Sequence, residues 1–540
     1  MKKVSAKILS IALALSSCLA VGCQKEETPD TDQTLQVYVF QAGYGTKWCT
    51  DMLDLFKEQD WVKQKYPNLV IPAPTENDVS SFAESRLSAG EKGNPYDLIF
   101  SINLDYNTGP NGDFLDLTEV VYNSKVPGEG ETLWKNKSLE SYNESNTYID
   151  PTDLSTKKQY LTSWAGGMNT ILYNETKLMQ FTDKLPNTTD ELLAICANVK
   201  ANEGQSNGKY NLGYSFMEYG TGSYFVHMFP IYWAQYEGLT NYKNFWNGID
   251  NNRYSKGVFD QKGRLHALEV MEEILDADTA YLTRSAPNYE FMQAQTLFLQ
   301  GNGLFFCNGD WFDNEMKTIR DQIVQENGSI DTFKTMRMPI ISELGVKLGI
   351  TDAELSAIVD YVDGTVTTEP TFTSTKGLTK TEVIDAVREA RTVVHSLGPN
   401  HQAGIPHYAK GKEVAIDFLR FMATDIAQES YIKSTGGASL PFKYKLKEKN
   451  IDLYNSLGTM QQTRHDYFSS DKYEVYTLPS NRAFPLFQYG GLKAFTREEY
   501  FTDFFAADKT WTAQKYFDTT KEAWTDEKWN NALSLAGLQA

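Results

Sequence analysis

Hydrophobic positions along this chain alternate in short runs, then recur every three or four residues, and the switch happens again and again. Thr34-Leu-Gln-Val-Tyr-Val-Phe40 has the period of two that predicts a strand. It runs into Gln41-Ala-Gly-Tyr-Gly45, a loop with two glycines, and residues 48–57 then take helical spacing. Pro67-Asn-Leu-Val-Ile-Pro72 reads as a second strand, 81–87 as a helix and Tyr96-Asp-Leu-Ile-Phe-Ser101 as a third strand. Strands that alternate with helices predict an α/β architecture, a mostly parallel sheet with helices on its faces. Ligands of such sheets bind outside the carboxyl ends of the strands, which points at residues 41–48 and 101–107.

Further along, Tyr160-Leu-Thr-Ser-Trp164 and Thr170-Ile-Leu-Tyr-Asn174 bracket Ala165-Gly-Gly-Met-Asn169, where the glycine pair suits either a crossing between lobes or a plain turn. Thr188 and Glu191 have the spacing of a capping box opening a helix over 194–199. Residues 352–359 and 379–394 read as amphipathic helices joined by a Thr-rich stretch, with no Pro/Gly-rich linker to set them apart.

Length changes the picture first: 540 residues exceed what one hydrophobic core usually supports, so two lobes are expected. The formal charge of −19 argues against nucleic acid as a partner, because phosphate binding needs clustered Lys and Arg. The chain starts with Lys2, Lys3 and Lys7, an apolar stretch over 8–15, and Ala20-Val21-Gly22 before Cys23. That is the layout of a secretory signal over residues 1–22, and its cleavage site resembles a bacterial lipobox with Cys23 as the lipidated first residue. Cutting at the rival Cys18 would leave apolar residues 19–21 at the new terminus. Gln24 to Gln33 is polar and free of aromatics, which reads as a tether over 23–33. Without the signal the body carries about −22. The remaining cysteines, Cys49, Cys196 and Cys307, are odd in number and widely spaced, which supports neither a disulfide framework nor a zinc site.

Taken in order, the lipobox, the tether, the first strand, Pro95-Tyr-Asp-Leu-Ile99, the Leu-Tyr-Asn strand and Pro186-Asn-Thr-Thr-Asp-Glu-Leu192 resemble the extracellular solute-binding proteins of ATP-driven importers. Within these the chain is most similar to the carbohydrate-binding group that includes maltose-binding protein. Gly301-Asn-Gly-Leu-Phe-Phe-Cys-Asn-Gly-Asp-Trp311, Gly404-Ile-Pro-His407, a helix over 412–422 and the stretch Gly436-Gly437…Pro441 agree. The resemblance implies a two-lobed periplasmic-binding-protein-like fold with a hinge, lobe 1 over 34–165 and 404–456, and lobe 2 over 166–403 and 457–540 with an insert at about 340–397. It places the lobe crossings near 165–168, near 403–406 and after 456. It also implies a monomer anchored outside the cell membrane by lipid alone, a carbohydrate ligand, delivery to a membrane permease, and no cofactor or metal.

A pyranose has an apolar C–H face that packs on aromatic rings and a rim of hydroxyls, so a sugar site mixes Trp and Tyr with Asp, Asn, Glu and Gln. The resemblance selects Trp311 with Asp310 and Asn308, and Tyr224 as a second ring against sugar. If Trp311 is instead core, Asp310 is a helix cap. In the first lobe it selects Gln41 and Tyr44 on the first strand-to-helix loop and Asn103 and Asp105 on the third. The family's tryptophan near Ser101 is missing here, so first-lobe stacking falls to Tyr44, Trp48 or Tyr106. Trp164 either stacks on ligand or seals the hinge. No GxxxxGK[ST] loop, HExxH pair or Gly-x-Ser-x-Gly elbow occurs, and the eightfold alternation of a barrel hydrolase is absent. The alternatives are the same fold binding a peptide or other solute, and an exported glycoside hydrolase.

Overall fold

A computed structural model describes residues 33–202, 214–220, 224–468, 475–497 and 499–538, apart from the side chains of residues 106 and 107. The signal over 1–22, Cys18, Cys23 and nearly all of the tether lie outside the described residues.

Two sheets, one per lobe, organise the chain. The first runs Thr75–Asn77, Val37–Phe40, Leu98–Ile102, His401–Gly404, Thr162–Ser163. Its first three strands are parallel, and His401–Gly404 joins antiparallel with Gln402 opposite Ser101. The second sheet is built on Met168–Asn174, buried throughout. Gly303–Gly309 pairs antiparallel along one side of it, with Asn308 opposite Thr170, while Phe333–Met336 and Val393–Ser396 share the other side. Strands buried on both faces need continuous apolar runs, which Thr170-Ile-Leu-Tyr and Leu304-Phe-Phe-Cys supply.

Several local readings shift by a few residues. Pro67–Pro72 contributes a single bridge, Val70 with Thr34, and the second strand forms at Thr75–Asn77. Prolines at both ends of that run each deny the ladder a backbone donor. The helix predicted over 194–199 is longer, Thr189–Ala201, and Thr188 caps it by accepting from the Glu191 backbone N–H. The Glu191 carboxylate takes the N–H of Asn187, one residue before the place a capping box would use.

The stretch 340–397 is no separate body. Asp352–Asp363 and Lys380–Thr392 place Leu355, Ile358, Val359, Val383 and Val387 in the main core of the second lobe, and Val393–Ser396 is a strand of its sheet.

The lobes are joined where two chain crossings lie against each other. Between Ser163 in one sheet and Met168 in the other, the chain passes through Gly166 and Gly167; the return passes through Leu397 to Asn400. The expectation of a return near 403–406 is corrected: His401–Gly404 is already a strand of the first sheet. Leu397 N–H donates to Gly167 O at 2.9 Å, and the Ser396 and Tyr142 hydroxyls both donate to Gly166 O. A Cβ on Gly398 would stand 2.3 Å from Gly166 O and 2.4 Å from Ala165 O, both backbone atoms. Gly398→Ala is therefore expected to cost at least the roughly 1–3 kcal/mol typical of overpacking, read as a lower urea midpoint; an unchanged midpoint would show that the crossings separate freely.

Candidate functional site

The carboxyl ends of four strands converge on one cleft. The loop after Val37–Phe40 delivers Ala42, Gly43 and Tyr44; Leu98–Ile102 ends at Asn103; Gly303–Gly309 runs into Trp311 and Glu315; and Tyr214–Phe216 leads towards Tyr224. With Asn400 and His401 of the return crossing, these residues enclose a chamber of about 290 Å³. Leu397 and Asn400 also line a second chamber of about 520 Å³, walled by Trp233, Trp246, His227 and His395 and by the segment Leu478–Arg482. A larger cavity, about 630 Å³, lies on the far side of the Phe312–Glu315 helix. Though larger than either chamber, it faces none of these parallel strand ends, so the two-chambered cleft is the better candidate.

The sequence-selected residues divide sharply. Tyr44, Asn103, Tyr224 and Trp311 line the first chamber, whereas Gln41, Asp105, Asn308, Asp310 and Trp164 line neither chamber of the cleft. Asn103 is exposed and sits in the left-handed region at φ 54°, which asparagine tolerates better than most residues, with its N–H on Asn400 O at 2.9 Å. Tyr224 is half-buried and meets Trp311 edge to face, ring centres 4.8 Å apart. Trp311 is only 3% exposed, and its ring also stands edge-on to Tyr44 of the opposite lobe. It therefore serves chiefly as a wedge at the lobe junction, with one edge on the chamber.

The others are set back for physical reasons. Asn308 is fully buried, held by Gln295 through its amide, and so supports the chamber from beneath. Asp310 is buried between the lobes: the Tyr44 hydroxyl donates to Oδ1 at 2.9 Å and an Arg464 guanidinium nitrogen stands 3.7 Å from Oδ2. Its burial raises its pKa, against the opposing pull of Arg464. Gln41 is exposed on the rim. Asp105 spends its carboxylate on Arg482, a bridge across the cleft. Trp164 is fully buried, stacked on Trp48 at 5.1 Å with its N–H on Ser101 O, so it seals the hinge. Trp48 is buried with it, which takes that ring out of the stacking choice.

Sequence reasoning missed Glu315, although Trp311 to Glu315 is one helical turn and the i, i+4 spacing brings both side chains to one side. Its carboxylate accepts from Gln295 Nε2 at 3.1 Å, and burial pushes its pKa up to about 7. The histidines had no local signal. His227 and His395 stack at 4.4 Å though far apart in sequence. His395 Nδ1 lies 3.1 Å from the Asn169 side-chain amide, and burial favours the neutral ring. Burial lowers the pKa of both rings, His227 to about 4, and likewise brings His401 down to about 4. Among the described residues no group of three His, Cys, Asp or Glu is placed to hold a metal ion, and no helix is long and apolar enough to cross a membrane.

Neither a family model nor a curated protein matches the chain by sequence. Solved structures do. One, from the thermophilic bacterium Caldanaerobius polysaccharolyticus and described in work on xylan utilization, is 14% identical with a TM-score of 0.54, covering 91% of this chain and 100% of its own. Another, described as a probable secreted solute-binding lipoprotein from Streptomyces coelicolor, is 12% identical with a TM-score of 0.53 over 91% of this chain and 98% of its own. The chain has the two-lobed solute-binding-protein fold. A third solute-binding protein, an ABC substrate-binding protein from Listeria monocytogenes in complex with cycloalternan, is 12% identical with a TM-score of 0.52 over 94% of this chain and 99% of its own.

Within this two-lobed frame Glu315 makes a pH test available. Its folded value near 7 lies above the ordinary 4.5, so the folded chain keeps a proton that the unfolded chain releases. Its burial therefore costs stability as pH rises from about 4.5 to 7, by up to about 3 kcal/mol, and the cost is complete above that window. Glu315→Gln is expected to match the parent below pH 4.5 and exceed it above pH 7 in denaturation series; parallel pH profiles would show the carboxylate to be solvated.

Proposed function

We propose that this protein is the extracytoplasmic binding component of an ABC importer, capturing a carbohydrate between its lobes and handing it to a membrane permease. The observation that carries this reading is the first chamber's lining: rings of Tyr224 and Trp311 beside Asn103, Asn400 and Glu315, drawn from both lobes. Apolar faces for C–H groups next to hydrogen-bonding groups for hydroxyls are what a sugar requires. Proteins of the same fold include one in complex with cycloalternan and one described in work on xylan utilization, which supports a carbohydrate over a peptide.

A binding role is favoured over hydrolysis by the carboxylates. Glycosidases canonically place two flanking the scissile bond, roughly 5 to 10 Å apart. Among the described residues lining the two chambers, Glu315 is the one carboxylate. Closure of the lobes over the ligand then supplies the signal a permease reads.

For the anchor, the reading rests on the signal-like start and Cys23, and a neighbour of the same fold is described as a secreted lipoprotein. The mature chain would sit as a monomer on the outer face of the cell membrane, held by lipid alone. Cys23→Ser is expected to move the protein from the membrane fraction to the soluble one; continued membrane association with acylation would move the site to Cys18.

The ligand class is tested by thermal shift of residues 24–540 against neutral and acidic oligosaccharides, peptides and small anions. A ligand at about 100 times its Kd stabilises the fold by about 2.7 kcal/mol. One sugar class should raise the melting point with no cleavage on long incubation, and Tyr224→Ala should abolish that shift with little change in the unliganded melting point. Trp311→Ala should lower both, since its ring is part of the lobe junction. A response to peptides alone, or release of reducing sugar, would overturn the reading.

A further inference from the structure

The two chambers of the cleft differ in charge. The first is lined by Glu315 and no Lys or Arg. The second is lined by Arg482 and Lys493 and, among the described residues, by no carboxylate. That contrast stands out on a chain with 70 acidic and 51 basic side chains, where a lining drawn at random would more often carry acid than base. The histidines of the second chamber, His227 and His395, are buried and neutral, and Lys493 is engaged by another group, so the cation considered for a ligand is Arg482.

Arg482 comes from a short segment of the second lobe that crosses to the first: Ser480 N–H donates to Ser145 Oγ, and one guanidinium nitrogen of Arg482 pairs with Asp105. Its other two nitrogens make no hydrogen bond among the described residues, and the group is about half exposed at the chamber mouth. A guanidinium offers five donors in a planar fork, and a single monodentate partner leaves much of that fork for a second anion. Beside it stands Phe487, a partly exposed ring that packs edge-on against the buried Trp246 and can meet the face of a sugar unit.

Resting on the carbohydrate reading above, we propose that the second chamber is an anion subsite, selecting oligosaccharides that carry a carboxylate or sulfate group and seating that group against Arg482. Glu315 in the first chamber works in the same direction once it is ionised, because a carboxylate there repels the charged unit and so sets which way round the chain lies. Asp105 fixes the guanidinium across the cleft and shares it with the ligand.

Isothermal titration of residues 24–540 tests this with xylotriose and maltotriose as neutral probes, trigalacturonate as a uronate and a sulfated disaccharide as a sulfate ester. An acidic probe is expected to bind at least about tenfold more tightly than a neutral one of similar length, the scale of hydrogen bonds to a charged group. That advantage should shrink as salt rises. Arg482→Ala should lower affinity for the acidic probe by a larger factor than for any neutral probe that binds, Arg482→Lys should restore part of it, and Asp105→Asn should keep or strengthen it. Preference between uronate and sulfate assigns the group. Equal binding of neutral and acidic probes, or an equal loss of both in Arg482→Ala, would overturn the anion subsite and leave Arg482 as a clamp between lobes. Failure of every sugar to bind, with a response to peptide, would instead overturn the carbohydrate reading itself.

Discussion

Backbone packed directly on backbone at the lobe junction sets the rest of this structure. Gly166 and Gly167 on the outward crossing lie against Leu397 and Gly398 on the return, and Gly166 O collects the hydroxyls of Tyr142 and Ser396. Because no side chain separates the two crossings, the sheets are brought close and their strand ends face one space. Met168 begins a strand of one sheet immediately after the junction, and His401 begins a strand of the other. The cleft is the gap left between sheets that are tied this tightly at one edge. A ligand there touches both lobes, and turning about the crossings changes its enclosure.

The aromatic excess of the sequence is spent largely at this junction and in the second lobe's core. Trp48 and Trp164 stack face to face beneath the crossings, Tyr44 stands edge-on to Trp164 and Trp311, and His401 closes the group. Rings of this size fill the wedge between two sheets with few rotatable bonds, which stiffens the junction. Tyr224 is the ring placed differently: it is half-buried, with one side on Trp311 and the other towards the chamber.

Much of the fold was legible in the chain because it is written in local periods. The switch from period two to helical spacing located the first strand and helix, and Thr188 marked the helix that follows the crossing. The Gly-Gly pair at 166–167 suited a crossing and a plain turn equally, and the family resemblance put the return near 403–406, whereas the turn is made by Gly398-Pro399-Asn400 just upstream. The site was harder for a different reason. Composition says which residue types suit sugar, and the family resemblance picked Trp311 and Asp310 in one lobe and Tyr44 in the other, which do come together. What it lacks is depth: whether a polar side chain faces ligand or the opposite lobe depends on how far the lobes approach, and no short window of sequence records that. Glu315 was within reach by its spacing from Trp311, while Arg482, His227 and His395 meet only through the tertiary fold.

The Tyr44–Asp310–Arg464 cluster explains how a cleft of this kind stays responsive. Bringing the lobes together buries a carboxylate and a guanidinium that end 3.7 Å apart, too far for a tight bidentate pair. Burial works against both charges, raising the pKa of Asp310 and lowering that of Arg464. Buried charges gain stability only when geometry and hydrogen bonds offset their desolvation, and here Asp310 takes the Tyr44 hydroxyl and a long contact from Ser439 N, while Arg464 donates to Gln461 Oε1 at 2.8 Å, to Gly437 O and to Ser439 Oγ. Within the junction, this cluster ties the lobes through charges whose desolvation offsets part of what their pairing contributes. A ligand can shift a two-state equilibrium only by its differential affinity for the two states, and moving it from 1:99 to 99:1 takes about 5.5 kcal/mol. A ligand in the cleft meets that requirement only through contacts it makes with both lobes at once, and the residues placed for this face each other across the first chamber, Asn103 from one lobe and Tyr224 and Glu315 from the other.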